Sequence, residues 1–272
     1  MKQIREIPIS CMRSTPSMLL YGKNHLFTRM IVLIELLSVL STENANQTSS
    51  AVKGESLEDT IQTIAGYADA IVLRHKESGA AARAAGVSCV PIINAGDGGG
   101  EHPTQALLDL YTIFQYKKQV DSLVIGLAGD LLSSRTLHSL MYMLSIYDVE
   151  LYLIAPKQCQ LPAEYLAYLK EKNVRHHVVY DIEECLDRLD VVYINRIQAE
   201  RHAEAFTGQA PTLTQQNIKK LKAVAIILDP LPRVDEIEPG VDTDPRAVYF
   251  QQAKNGLFVR MALLDTLLHA ER

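Results

Sequence analysis

From residue 56 onward, short apolar runs alternate with segments of helical periodicity, and that alternation leaves few folds open. Residues 58–67 place Ile61, Ile64 and Ala65 at helical spacing, and residues 70–73 form an apolar run ending at Arg74. A small-residue helix follows at 78–85, then a second strand at 90–93 and a glycine-containing loop at 94–101. Pro103 suits the first position of the next helix, with His102 as its N-cap. Leu107, Leu108, Tyr111 and Phe114 are its expected buried stripe. The second half repeats the pattern, with strands expected at 123–128, 149–154, 178–180, 191–194 and 223–228. Helices are expected at 135–145, 162–172 and about 253–269. Strands that alternate with helices build βαβ units and parallel sheets. The expected class is α/β, with two doubly wound parallel-sheet domains.

A chain of 272 residues is long for a single core. The polar stretch Gln115-Tyr116-Lys117-Lys118-Gln119 suggests domains at 1–118 and 119–252, with the C-terminal helix (253–272) packing back on the first. The net charge of −5 argues against a nucleic-acid footprint or an anionic membrane surface as partner. Cys11, Cys89, Cys159 and Cys185 are scattered without metal-ligand spacing, so no metal site is expected. The longest apolar stretch, 26–40, is interrupted by Arg29 and Glu35 and is too short for a membrane span. With no signal-like segment at the start, a cytoplasmic protein is expected.

Strand ends carry the notable side chains. Arg74 follows one strand, and His102 and Gln105 follow another. Arg135 opens a helix after a third, Arg196 and Gln198 follow the strand at 191–194, and Arg233 follows two prolines. Any one of these alone reads as a surface charge or a helix cap. Together, in a doubly wound fold, they face the crevice beyond the strand ends where ligands bind. Cations gathered against the net charge suggest a small anionic ligand held by guanidinium forks. The segment Asp229-Pro230-Leu231-Pro232-Arg233 leaves its strand as a stiff turn, with the carbonyls of Leu231 and Pro232 available as acceptors. Gly96, Gly98, Gly99 and Gly100 match no nucleotide-binding pattern.

Four groups of residues, taken with the turn at 229–236, carry a resemblance. They are His102-Pro103-Thr104-Gln105, Ser134-Arg135-Thr136-Leu137-His138, Arg196-Ile197-Gln198 and Tyr249-Phe250-Gln251-Gln252. In that order the chain resembles the aspartate/ornithine carbamoyltransferase family, on the aspartate side, from about residue 39 to the C-terminus. The resemblance implies that the chain joins aspartate to carbamoyl phosphate, giving N-carbamoyl-aspartate and phosphate, with no cofactor. It implies that Arg74, His102, Gln105, Leu231 and Pro232 bind carbamoyl phosphate, with Arg74 and His102 polarising its carbonyl. Arg135, Arg196 and Gln198 would hold the aspartate carboxylates. Ser49 and Lys53 would reach into a neighbouring subunit's site, implying a homotrimer or a trimer with a paralogue.

Two departures from the family pattern stand out. A Ser-Thr-Arg-Thr-Arg phosphate loop is expected before residue 39, and Tyr21-Gly22-Lys23-Asn24-His25 stands there instead. Asp229 replaces the histidine that the family places before its Pro-Leu-Pro turn, which adds negative charge near a site for anions. A catalytically impaired member that binds ligand or stabilises an oligomer is therefore the alternative reading. A regulatory amino-acid-binding module is a third.

Overall fold

The computed structural model describes residues 54–198 and 208–269, and the backbone of one further strand, Val32–Glu35. Ser49 and Lys53 lie outside the described residues. By packing, the chain divides into two compact units, one reaching to His102 and including Arg260 onward, the other spanning Pro103–Val259.

The first unit holds a three-stranded parallel sheet of β1 (Val32–Glu35), β2 (Ile71–His75) and β3 (Ile92–Asp97), in that order. Side chains alternate across a strand, so the two faces are built separately. On one face Ile71, Leu73 and Ile92 pack with Ile61 and Ala65 of α1 (Leu57–Ala65) and Ala84 and Ala85 of α2 (Ala80–Val87). On the other, Ala70, Val72 and Ile93 meet Leu264, Leu267 and Leu268 near the end of α6 (Tyr249–His269). Ser56 caps α1, its hydroxyl accepting from the Asp59 amide at 3.1 Å.

The second unit holds a five-stranded, all-parallel sheet. Its strands are β4 (Val124–Ala128), β5 (Glu150–Ile154), β6 (Arg175–Val179), β7 (Val191–Ile194) and β8 (Ile226–Leu228), in the order β6-β5-β4-β7-β8. Ile125, Leu127, Leu151, Leu153, Val191 and Tyr193 face α3 (Pro103–Lys117), α4 (Arg135–Leu144) and α5 (Ala163–Glu171). Ala128, Ile154, Val192, Ile194 and Ile227 face Leu186, Leu189, Leu213, Ile218 and Val241. Strands covered on both sides must be apolar at every position, which is why they appear as unbroken runs in the sequence.

Several expectations are corrected. Tyr111 and Phe114 are exposed, at 43% and 42%; the buried face of α3 is Leu108, Leu110 and Ile113, with the polar Gln105, Asp109 and Thr112. β6 lies at Arg175–Val179, not 178–180, because this edge strand is polar and largely exposed and gives no apolar signal. β3 continues past its apolar residues to Asp97, and α6 starts at Tyr249.

Candidate functional site

In the second unit the strand order reverses direction at β4. From β4 the chain runs outward to β5 and β6, then returns to the other side of β4 for β7 and β8. Helices on either side of such a switch point diverge, leaving an opening beyond the carboxyl ends of the two central strands. The register pairs Ala128 with Ile194 and Tyr193 with Leu228, so the segments leaving β4, β7 and β8 emerge side by side. Arg135 comes from the first of these, Arg196 and Gln198 from the second, and Leu231 and Pro232 from the third.

Buried polar groups hold these ends together. Asp130 is wholly buried; its Oδ1 accepts from the Ser133 amide at 2.9 Å and its Oδ2 from the Gln198 amide at 3.0 Å. One carboxylate thus ties the loop before Arg135 to Gln198, two residues after Arg196. Asn195 adds a second tie, donating to the Ser134 hydroxyl at 2.5 Å, while the same hydroxyl caps α4 by accepting from the Leu137 amide. Gly129 makes the approach possible. Its φ is +115°, and a Cβ there would sit 1.8 Å from the Asn195 carbonyl oxygen. His138 braces the loop from within α4: its Nε2 donates to the Leu131 carbonyl at 2.8 Å and its ring stacks on Tyr165. Burial lowers its pKa, so it sits there as the neutral Nε2–H tautomer. Arg135, Arg196 and Gln198 are half-buried at the mouth of this arrangement.

The turn after β8 is also fastened at both ends. Asp229 accepts from the Leu231 amide at 2.6 Å, and Glu236 accepts from the amides of Val234 and Asp235 at 2.7 and 3.0 Å. Leu231 has a positive φ of 55°, and its peptide bond to Pro232 is cis. Arg233, which the sequence marks as a candidate, is engaged inside the protein. It forms a fork to Asp242, bonds the Tyr249 hydroxyl at 3.0 Å and lies over the Tyr249 ring. Asp229 is buried at 2% exposure, and burial is the main cause that pushes its pKa up to about 7. It therefore carries less negative charge toward the strand ends than its residue type suggests.

A further buried network reaches Gln105. Asp109, fully buried, accepts from Gln105 Nε2 at 2.9 Å, from the Tyr193 hydroxyl at 2.8 Å and from Gln252 Nε2 at 2.6 Å. Gln252 in turn accepts from the Asp229 amide at 2.9 Å. Gln105 is thereby fixed with its NH2 inward, so its carbonyl oxygen is the group it can offer to a ligand donor.

In the first unit, Arg74 is the fourth residue of β2 and half-buried. The chain between β3 and His102 is shaped by Asp97, which accepts from the amides of Gly79 and Glu101 and from Asn94 Nδ2. Gly98, at φ +53°, donates to the His75 carbonyl at 2.7 Å. This fixes the path of the loop that delivers His102, itself half-buried, to the start of α3. Asp97, Asp109, Asp130 and Asn195 are not among the candidates that the sequence marks. The available signal was an acid or amide directly beyond an apolar run, as at Asp130 and Asn195.

A family model described as the aspartate/ornithine carbamoyltransferase Asp/Orn-binding domain matches residues 121–267. The carbamoyl-P-binding domain of the same family matches residues 35–115. The chain belongs to this family. Among similar proteins, aspartate carbamoyltransferase 1 of Pisum sativum is 50% identical over 236 residues, which are 85% of this chain and 61% of the pea protein. The chain thus spans about three-fifths of the length of that relative. The aspartate carbamoyltransferase catalytic subunit of Thermococcus onnurineus is 48% identical over 85% of this chain and 76% of its own. Among solved structures, aspartate transcarbamoylase of Trypanosoma cruzi in complex with carbamoyl aspartate and phosphate superposes with a TM-score of 0.76. It shares 40% identity, over 80% of this chain and 72% of that one. Among the described residues of this family member, no helix is long and apolar enough to cross a membrane.

Proposed function

We propose that the chain transfers the carbamoyl group of carbamoyl phosphate to the amino group of L-aspartate. The amine nitrogen attacks the carbamoyl carbon, the bond from that carbon to the phosphate oxygen breaks, and a proton leaves the nitrogen. N-carbamoyl-aspartate and phosphate are the products, as in pyrimidine biosynthesis. The observation that carries this reading is that Arg135 and Arg196 stand on the segments leaving β4 and β7 at the switch point, which Asp130 ties together through the amides of Ser133 and Gln198. Two cations on neighbouring segments suit an acceptor with two carboxylates and disfavour one with a cationic side chain, such as ornithine.

In this reading Arg135, Arg196 and Gln198 hold the aspartate. Arg74 and His102 polarise the carbamoyl carbonyl and stabilise the oxyanion that develops on it. The Gln105 carbonyl oxygen accepts from the carbamoyl NH2, as do the carbonyls of Leu231 and Pro232. Most of the rate enhancement comes from holding the two substrates in reacting order. Residues 1–118 form the carbamoyl-phosphate domain and 119–252 the aspartate domain, with the last helix returning to the first. Ser49 and Lys53 act in trans within a homotrimer or a trimer with a paralogue, in the cytoplasm.

A second reading, a ligand-binding or oligomer-stabilising member without turnover, is favoured by one observation. The family match begins at residue 35, and no Ser-Thr-Arg-Thr-Arg loop precedes it. The two readings separate when the purified chain is incubated with labelled carbamoyl phosphate and either aspartate or ornithine. Label appearing in carbamoyl-aspartate, not in the ornithine product, supports transfer; label in neither, with succinate still bound, supports the second reading.

A further inference from the structure

Asp229 and Glu236 stand at the two feet of the turn that carries Leu231 and Pro232. Both are buried, at 2% and 1% exposure, and both spend one oxygen on turn amides. Their remaining oxygens, Asp229 Oδ2 and Glu236 Oε1, are also buried and receive no donor from the protein. The Glu236 side chain acts on Asp229 both through its charge and as a hydrogen-bond partner, and both effects favour the protonated Asp229 carboxyl. Two carboxylates cannot form that bond, because neither has a hydrogen to give. A carboxylic acid and a carboxylate can.

We propose that Asp229 and Glu236 share one buried proton, and that this proton positions the turn presenting the Leu231 and Pro232 carbonyls. The pair carries one negative charge with the proton present. Release of the proton to solvent leaves two like charges facing each other away from water, which is strongly unfavourable. Repulsion then drives the feet of the turn apart. The groups around the pair do little to offset it. Arg233 draws Asp229 toward ionisation but is committed to Asp242. Tyr193, on β7, is itself held neutral by burial and by the Asp109 and Asp229 charges. Gln252, from α6, contributes only a neutral amide, turned to the Asp229 amide and to Asp109.

Burial, with Glu236 nearby, pushes the Asp229 carboxyl up to about 7. Below that the proton is bound and the turn is closed; above it the turn loosens. The consequence for carbamoyl phosphate rests on the function proposed above, but the shared proton does not.

Difference infrared spectroscopy of the full chain tests the proton directly. A C=O stretch of a buried protonated carboxyl is expected at acidic pH, fading as pH rises through about 7, and missing from Asp229→Asn. In that variant the Asn amide donates permanently to Glu236 while its oxygen still accepts from Leu231. Glu236→Gln serves the same purpose should Asp229→Asn fold poorly. Amide exchange reports the positioning. Protection at Leu231 and Val234, corrected for intrinsic exchange, should fall across the same pH range in the native chain and stay constant in the variant. Carbamoyl-phosphate affinity should weaken by up to about tenfold per pH unit above the transition in the native chain only. Absence of the protonated-carboxyl band, or an equal pH dependence of exchange in native and variant chains, overturns the proposal. Band and exchange behaving as expected, with no carbamoyl-phosphate binding at any pH, leaves the shared proton standing and refutes the functional reading instead.

Discussion

At the scale of residues, the cations named from sequence depend on acids that were not. Asp130 accepts from Ser133 and Gln198, and replacing it by alanine leaves two amides without an acceptor. That substitution should destabilise the chain by roughly 2–4 kcal/mol and weaken succinate binding, measured by urea denaturation and calorimetry. Arg196→Ala should leave stability nearly unchanged while costing at least about tenfold in succinate affinity, since a charge-assisted bond contributes ~1.5–3 kcal/mol. Equal affinity in native and variant chains means that Arg196 has been misassigned. His138 sets a pH dependence of stability. Its folded pKa lies below the usual 6.5, so the unfolded chain binds a proton that the native chain does not. Stability from this group is full above about 6.5 and is lost as pH falls through the depressed value; His138→Gln should flatten that part of the curve. Arg233 marks the limit of reading residues singly. A guanidinium beside a proline turn looks like a ligand-binding group until Asp242 and Tyr249, nine and sixteen residues further on, are seen to occupy it.

At the scale of elements, legibility followed burial. β4, β5 and β7 are covered on both faces, so their unbroken apolar runs located them in the sequence within a residue or two. β6 is an edge strand with two histidines and an arginine, and nothing in those residue types distinguishes it from a loop. Tyr111 and Phe114 of α3 were assigned to the core by hydrophobicity, yet the helix buries Asp109 and Thr112 because Gln252 and Asn255 of α6 bond to them. Polar pairings across more than a hundred residues leave no local signal. The crossing of the ends of β4 and β7 is equally invisible locally, although it depends on one residue. Gly129→Ala combines a positive φ with a collision against the Asn195 backbone. It should cost upwards of about 3 kcal/mol and, by displacing Asn195 and Asp130, reduce succinate binding in whatever fraction remains folded. A midpoint of urea unfolding equal to that of the native chain contradicts this placement of Gly129.

At the scale of the whole molecule, the alternation of strands and helices led to two parallel sheets, and the order β6-β5-β4-β7-β8 explains why the aspartate-side candidates meet at one switch point. Ser49 and Lys53 belong to the part of the account that concerns assembly. The proposed trimer predicts sedimentation at three times the monomer mass at micromolar concentration, and a monomer alone contradicts it. The account's central claim is that aspartate is the acceptor, and that the residues leaving β4 and β7 recognise it. The rate of phosphate release from carbamoyl phosphate by the purified chain, measured against aspartate concentration, tests this most directly. The account predicts saturable, aspartate-dependent release matched mole for mole by carbamoyl-aspartate, with Arg196→Ala needing far more aspartate. Release that does not change with aspartate, or changes identically in Arg196→Ala, contradicts it.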